Sequence, residues 1–288
     1  MKKMLRCAGV HIYQMLVHPI FAILVLAVCL LMLTTEVHYY TLAGEEQKTI
    51  LELIVFQGRS WLMENRPITV EELILQQPHR GLVDYIVILA ALPFVNLFFK
   101  ERTSRVLRSR IQREGKIRFG LTRIFSGCIV GGLGVFLGAV LFLGIVSFFL
   151  PSTICDSGTW TEIYGEGNIH VLLVEHLAKF FFYGCLASLP SAVLAAFTRD
   201  IYLCLMIPFF ICWILTIFQS YLISLLDLEH PEEKGTIWNI LRWIREYGRM
   251  ESVMQISLLQ CFFVCAGGIC IASILFQARL LTRRDQGA

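Results

Sequence analysis

Residues 100–123 read KERTSRVLRSRIQREGKIRFGLTR and carry nine basic and two acidic side chains between two long apolar runs. Such a stretch does not lie in hydrocarbon, where a single central Arg or Lys costs about 2.5–3.5 kcal/mol. It is therefore expected in water at a membrane face. Because short loops rich in Lys and Arg stay on the cytoplasmic side, we predict that this basic stretch is a cytoplasmic loop.

The composition outside this stretch is that of a membrane protein. Hydrophobic residues make up 56% of the chain, charged residues only 16%, and the mean hydropathy is +0.67. A soluble domain is usually about 25% charged. The ten cysteines contain no CxxC pair, so they are interpreted as small packing residues within spans rather than as a metal site or a disulfide framework.

The apolar runs predict an all-α polytopic membrane protein with about six transmembrane helices, forming a single transmembrane domain over residues 1–288. The predicted spans are residues 19–39, 84–99, 124–150, 172–198, 201–226 and 253–276. Residues 1–17 are expected to form an amphipathic helix on the inner surface. The predicted outer segments are residues 41–82, 151–171 and 227–252, and they are expected to hold short outer helices.

The distribution of basic residues tests this topology. With both termini and the loop 100–123 inside, sixteen of the 25 basic residues are cytoplasmic. Since the count of Lys and Arg sets the orientation, this asymmetry favours both termini in the cytoplasm. We therefore expect a multi-pass protein of a cell membrane, in a bacterium.

The predicted third span carries four glycines on one helix face. Their spacing of four, three and four residues includes two GxxxG pairs. They are Gly127, Gly131, Gly134 and Gly138. Such a face lets another helix approach closely, and two interpretations remain open. The partner helix belongs either to a second copy of the protein or to the same chain.

Catalytic motifs are missing from the sequence. It has no P-loop, no HExxH, no GxSxG and no protein-kinase motif set. We expect no enzyme activity, no cofactor, no metal site and no nucleic-acid partner. Within the predicted spans, Glu175 and Lys179 are four residues apart and are expected to pair near an outer helix end. If the protein transports a cargo, the energy should come from another subunit.

The basic loop itself has two interpretations. It either orients the protein and contacts anionic membrane lipids, or it also binds a soluble partner. The segment PFVNLFFKERTSRVLRSRIQREGKIRFGLTRIFSG, residues 93–127, bears on this choice. It resembles the region between the second and third spans in permease subunits of ATP-binding cassette (ABC) transporters of the type-2 exporter family. In that family an acidic residue closes the second span, a short helix follows, and an L-x-S-R-I-x-R-x-K type stretch leads into the third span.

The matching positions in this sequence are Glu101, Leu107, Ser109, Arg110, Ile111, Arg113 and Lys116. The resemblance implies a permease whose cytoplasmic loop docks onto a separate ATPase, as a homodimer or as a heterodimer with a second permease. The residues expected to couple to the ATPase are Glu101, Arg110, Arg113, Glu114 and Lys116. The alternative is a non-transport membrane sensor or assembly protein that recruits a soluble partner through the same loop.

Overall fold

The computed structural model describes residues 2–41, 44–65, 68–77, 85–104, 106–152, 169–226 and 257–282. These residues are mainly helical, with one small β-hairpin. In chain order the elements are α1 (Lys2–Leu16), α2 (Pro19–Leu33), β1 (Glu36–Thr41), β2 (Gly44–Thr49), α3 (Ile50–Glu52), a π-helix (Leu53–Gln57), α4 (Gly58–Asn65), α5 (Val70–Gln76), α6 (Ile86–Thr103), α7 (Val106–Glu114), α8 (Lys116–Phe149), α9 (Ile169–Phe197), α10 (Ile201–Leu226) and α11 (Leu258–Thr282).

The longest described helix, α8, lies at the centre of the molecule. It has 34 residues, and α1, α2, α6, α9 and α11 all pack against it. We call the end of the molecule that contains α1, α7 and the start of α8 the basic end. The opposite end, with the β-hairpin and helices α3 to α5, is called the hairpin end.

Close helix crossings within the chain depend on the glycines of α8. A Cβ atom added at Gly131 would lie 2.8 Å from the Ala90 carbonyl oxygen of α6 and 3.2 Å from the Gly184 carbonyl oxygen of α9. One added at Gly138 would lie 2.7 Å from the Val28 side chain of α2. The glycine face of α8 is therefore packed against three helices of the same chain.

The other two glycines of that face also lie against side chains of the same chain. Gly127 lies directly against the Phe94 ring of α6, and Gly134 lies against the Leu24 side chain of α2. Of the two interpretations left open by the sequence, these contacts favour packing within one chain. The absence of a side chain at each position leaves the space that its neighbour fills.

Membrane-spanning helices account for much of the described structure. Among the described residues, three helices are long and apolar enough to cross a membrane, namely Lys116–Phe149, His170–Phe197 and Leu258–Arg279. The pair α1 and α2, bent by 66° at its break, gives a fourth if counted as one span. The class of an all-α multi-pass membrane protein is thus supported, while the count of six stays a prediction.

Two predicted spans differ from the helices found. The first was expected over residues 19–39, but α2 ends at Leu33, where the hydroxyls of Thr34 and Thr35 donate to the carbonyl oxygens of Leu31 and Met32. For the span expected over residues 84–99, α6 continues to Thr103 and carries three charged residues in its last turn. Its apolar part is therefore shorter than the ~20 residues that a full span requires.

The β-hairpin was not anticipated by the sequence analysis. Strands β1 and β2 pair antiparallel, with Glu36 opposite Thr49 and Thr41 opposite Gly44. The first strand reads EVHYYT, and β-branched and aromatic residues of this kind favour strands. A capping box ends the second strand, because the Thr49 side chain accepts from the Glu52 N–H while the Glu52 carboxylate accepts from the Thr49 N–H.

Several expected features lie elsewhere or outside the described residues. The stretch 100–123, expected as a loop, is almost entirely helical, because α6 ends in it, α7 lies within it and α8 begins at Lys116. Most of the outer segment 151–171, and the outer helix expected in 227–252, lie outside the described residues.

Candidate functional site at the basic end

Helix α7 is short and has two different faces. Leu107 packs partly buried against the core, Ile111 is buried, and Glu114 follows on the same side at i+3. On the other side, Arg108 and Arg113 are exposed. The sequence of α7 therefore anchors one face to the bundle and presents a basic face to solvent.

A buried carboxylate joins α7 to the long helices. Glu101, in the last turn of α6, is only 6% exposed. Its Oε1 atom accepts a hydrogen bond from Arg110 Nη1 of α7 at 2.9 Å, and its Oε2 atom lies 3.2 Å from Arg123 Nη2 of α8. One carboxylate thus pairs with two guanidinium groups from two different helices.

Arg123 is the largest fully buried side chain of the described residues. Its guanidinium carbon lies 5.7 Å from the centre of the Phe94 ring, and its Nη1 atom is 3.1 Å from His11 Nδ1 of α1. A buried charge of this kind is tolerated only when it is paired and hydrogen-bonded. The two polar partners of Arg123, Glu101 and His11, lie on two other helices, α6 and α1.

The hydrogen bonds of His11 fix its tautomer. A guanidinium group only donates, so His11 Nδ1 must accept from Arg123. The proton of the neutral ring is then on Nε2, which lies 3.4 Å from Glu114 Oε2 and donates to it. His11 is 1% exposed and connects α8 to α7 through α1.

Burial and charge keep His11 neutral. Burial lowers the pKa of His11, and the positive charges of Arg123 and Arg110 lower it further. Burial also raises the pKa of Glu114, although the same two arginines oppose that change. The contact between His11 and Glu114 is therefore a hydrogen bond from a neutral imidazole and not an ion pair.

Further contacts hold α1 and α9 at the same end. Arg110 Nη1 also donates to Gln14 Oε1 of α1 at 2.9 Å. The Ser126 hydroxyl of α8 donates to the Ala8 carbonyl oxygen at 3.2 Å. Arg102 Nη1 donates to the Thr198 carbonyl oxygen at 2.6 Å, just beyond the end of α9. Four helices are thereby tied to the segment around α7.

The residues expected to couple to an ATPase fall into two groups. Glu101, Arg110 and Glu114 make contacts inside the chain, whereas Arg113 and Lys116 are exposed. The structure therefore separates an internal group that holds α7 in place from an external group that is exposed to solvent. Arg108, not among the expected residues, belongs to the external group.

Two members of the internal network were missed by sequence reasoning. Arg123 was counted with the loop charges, but α8 begins at Lys116, so Arg123 lies two turns inside a helix. A charge at that depth signals the need for a partner. His11 has a weaker signal, since Ala8, His11 and Met15 recur at helical spacing and are all buried.

Charged side chains also occur away from the basic end. The expected pair of Glu175 and Lys179 is confirmed, with Lys179 Nζ 2.8 Å from Glu175 Oε1. Within the part of the chain that the structure describes, no group of three or more His, Cys, Asp or Glu side chains could hold a metal ion. Compared with protein-family models, curated proteins and solved structures, the chain matches none.

Proposed function

We propose that the chain is the membrane-spanning permease subunit of an ABC-type exporter, whose ATP is hydrolysed by a separate subunit that docks on the basic end. The observation that carries this proposal is the way α7 is mounted. A short helix with an exposed basic face is fixed to the ends of α6 and α8 by ion pairs of the buried Glu101, and to α1 by hydrogen bonds.

This mounting suits the transmission of force. A helix that merely lay on the membrane surface would move independently of the spans. Here Arg110 connects α7 to Glu101 of α6 and to Gln14 of α1, while Glu114 connects it to His11. A push on α7 by a closing ATPase would therefore shift α1, α6 and α8 together. Such coupled movement of helices is what passing a cargo outward requires.

The exposed basic face supplies the docking surface. Arg108, Arg113, Lys116 and Arg118 are all exposed along α7 and the first turn of α8. Clustered basic groups attract an acidic partner surface and raise its rate of association. Anionic membrane lipid is the other chemistry that this face fits, and the experiment below separates the two partners.

Membrane insertion and assembly complete the proposal. The positive-inside rule places the basic end in the cytoplasm of the cell that makes the protein. Val10 and Tyr13 on α1, and Val17 directly after its end, are exposed at helical spacing, as in a helix that lies at a membrane surface. Exposed apolar side chains along α10 and α11, such as Tyr202 and Ile274, face lipid or a second permease of the dimer that the family resemblance implies.

The decisive experiment removes the external group and keeps the internal one. In the triple variant Arg108→Gln, Arg113→Gln, Lys116→Gln, we expect recovery of a soluble ATPase with the purified protein to fall on the order of tenfold, because surface charges contribute ~0.2–1 kcal/mol each. The recovered partner is identified by mass spectrometry and its ATP hydrolysis is measured. The unfolding temperature should stay close to that of the wild type.

A matched control is Arg199→Gln, which removes an exposed basic charge from the turn between α9 and α10. This variant should retain the ATPase. Recovery of no ATPase with the wild type, under co-expression and in mild detergent, would contradict the permease. Recovery of a kinase or another regulator instead would favour the membrane sensor that recruits a soluble partner.

A further inference from the structure

An apolar cavity lies between four helices, away from the ion network. It measures about 400 Å³. Its walls come from α6, α9, α10 and α11, and include Val87, Pro190, Val193, Cys212, Gly268 and Leu275. Ile271 and Leu275 line it on α11 and are also 62% and 48% exposed, so the cavity opens at the surface of the bundle beside that helix.

Beyond the residues that line the cavity, toward the basic end, both α9 and α11 lead to a cation. On α11 its lining residues include Val264, Gly268, Ile271 and Leu275, and the next position on that face is Arg279. On α9 the lining residues Tyr183, Ala187, Pro190 and Val193 lead in the same way to Phe197. The Arg279 guanidinium carbon lies 5.7 Å from the centre of the Phe197 ring. The two rows of residues thus converge on this pair.

The dimensions fit one leaflet of a bilayer. From Val264 to Leu275 the lining of α11 extends about 16 Å, at ~1.5 Å per residue. Half of a ~30 Å hydrocarbon core is about 15 Å. An apolar space of that depth, open to the side and with a cation one turn beyond its last lining residue, matches a lipid with its phosphate at the membrane surface.

We propose that this cavity binds a phospholipid of the leaflet at the basic end. One acyl chain lies between α9, α10 and α11, and the phosphate lies beside Arg279. The exposed Arg199, two residues after Phe197 in the turn that follows α9, adds a second positive charge. This proposal goes beyond the proposed function and does not depend on it, because it requires only the membrane and the described helices.

The test is native mass spectrometry of the full chain released from nanodiscs of phosphatidylglycerol and phosphatidylcholine. We expect the wild type to retain one phospholipid. Val193→Trp fills the cavity and should abolish retention, while Val174→Trp, at a lipid-facing position of the same helix that is 64% exposed, should not. Arg279→Gln should lower retention about fivefold. The matched charge control is Arg59→Gln at the hairpin end, where the exposed Arg59 also lies over an aromatic ring; it should have no effect.

Leu275→Trp is a second cavity-filling variant at a position that is 48% exposed, in case Val193→Trp does not fold. The proposal fails if the wild type carries no lipid, or if both filling variants retain as much as Val174→Trp. It also fails if diacylglycerol, which lacks the phosphate, is retained as well as phosphatidylglycerol. A wild type recovered without lipid and at twice the chain mass would assign the cavity to a second copy.

Discussion

The basic end and the middle of α8 both join several helices, but by different kinds of contact. At the basic end, α1, α6, α7 and α8 are joined by charged and polar side chains centred on Glu101 and Arg123. Near the middle of α8, helices meet backbone to backbone at Gly131 and Gly184. Charged contacts fix the position of one helix relative to another, but they are lost when any one partner is removed. Contacts between glycines depend only on the close fit of the two backbones.

This difference matters for the proposed mechanism. A segment that receives a push must keep its connections to several helices in all states, and directional hydrogen bonds do this. A crossing of small residues permits close packing without adding polar groups to the hydrocarbon, where they are costly. Loss of a charge is therefore expected to destabilise the basic end, and gain of side-chain volume is expected to destabilise the middle of α8.

The largest expected effect is loss of the charge at Glu101. In Glu101→Gln, Arg123 stays fully buried without its carboxylate, which should lower the free energy of unfolding by about 3–5 kcal/mol. The double variant Glu101→Gln, Arg123→Met should recover much of this loss, because neither charge then remains. Denaturant unfolding in detergent micelles measures both variants. A double variant no more stable than the single one would show that the ion pair is not the cause.

The second prediction adds volume at the helix crossing. Gly131→Leu places a side chain against the carbonyl oxygens of Ala90 and Gly184, which cannot rotate away, so a loss of about 1–3 kcal/mol or more is expected. Gly144→Leu in the same helix is the control, since a Cβ there meets nothing within 4 Å. If Gly131→Leu left the monomer stable and abolished only a dimer, the glycine face would serve a second copy instead.

The smallest expected effect concerns pH and follows from His11. In the folded chain the pKa of His11 lies below its ordinary value of 6.5. The unfolded chain therefore binds more protons, and the free energy of unfolding falls as the pH drops below about 6.5. The loss is up to about 1.4 kcal/mol per pH unit. Glu114 has the opposite sign just above its ordinary pKa of 4.5, because its raised pKa favours the protonated folded form.

His11→Gln tests this assignment. Between about pH 7 and pH 5.5, the unfolding temperature of the variant should change less with pH than that of the wild type, because the residue that gains a proton on unfolding is gone. Thermal unfolding at a series of pH values measures the slope. An unchanged slope in His11→Gln would place the pH dependence on another group.

The sequence by itself determined the features that depend on local composition and spacing. Apolar runs indicated the membrane class, and the basic stretch 100–123 marked one end of the molecule. Spacing of four residues paired Glu175 with Lys179 correctly. The glycine face of α8 was also evident, because helical periodicity relates residues that are near in the chain.

Only the tertiary structure decided which distant residues meet. His11 and Arg123 are 112 positions apart, and nothing in the local pattern of either residue names the other. Neighbours of Gly131 on α6 and α9 were likewise undetermined, since a small-residue face accepts a helix from the same chain or from another copy. The division of the basic stretch into an internal and an external group has the same origin. It depends on how α7 packs on the bundle, and packing brings together side chains that local spacing cannot relate.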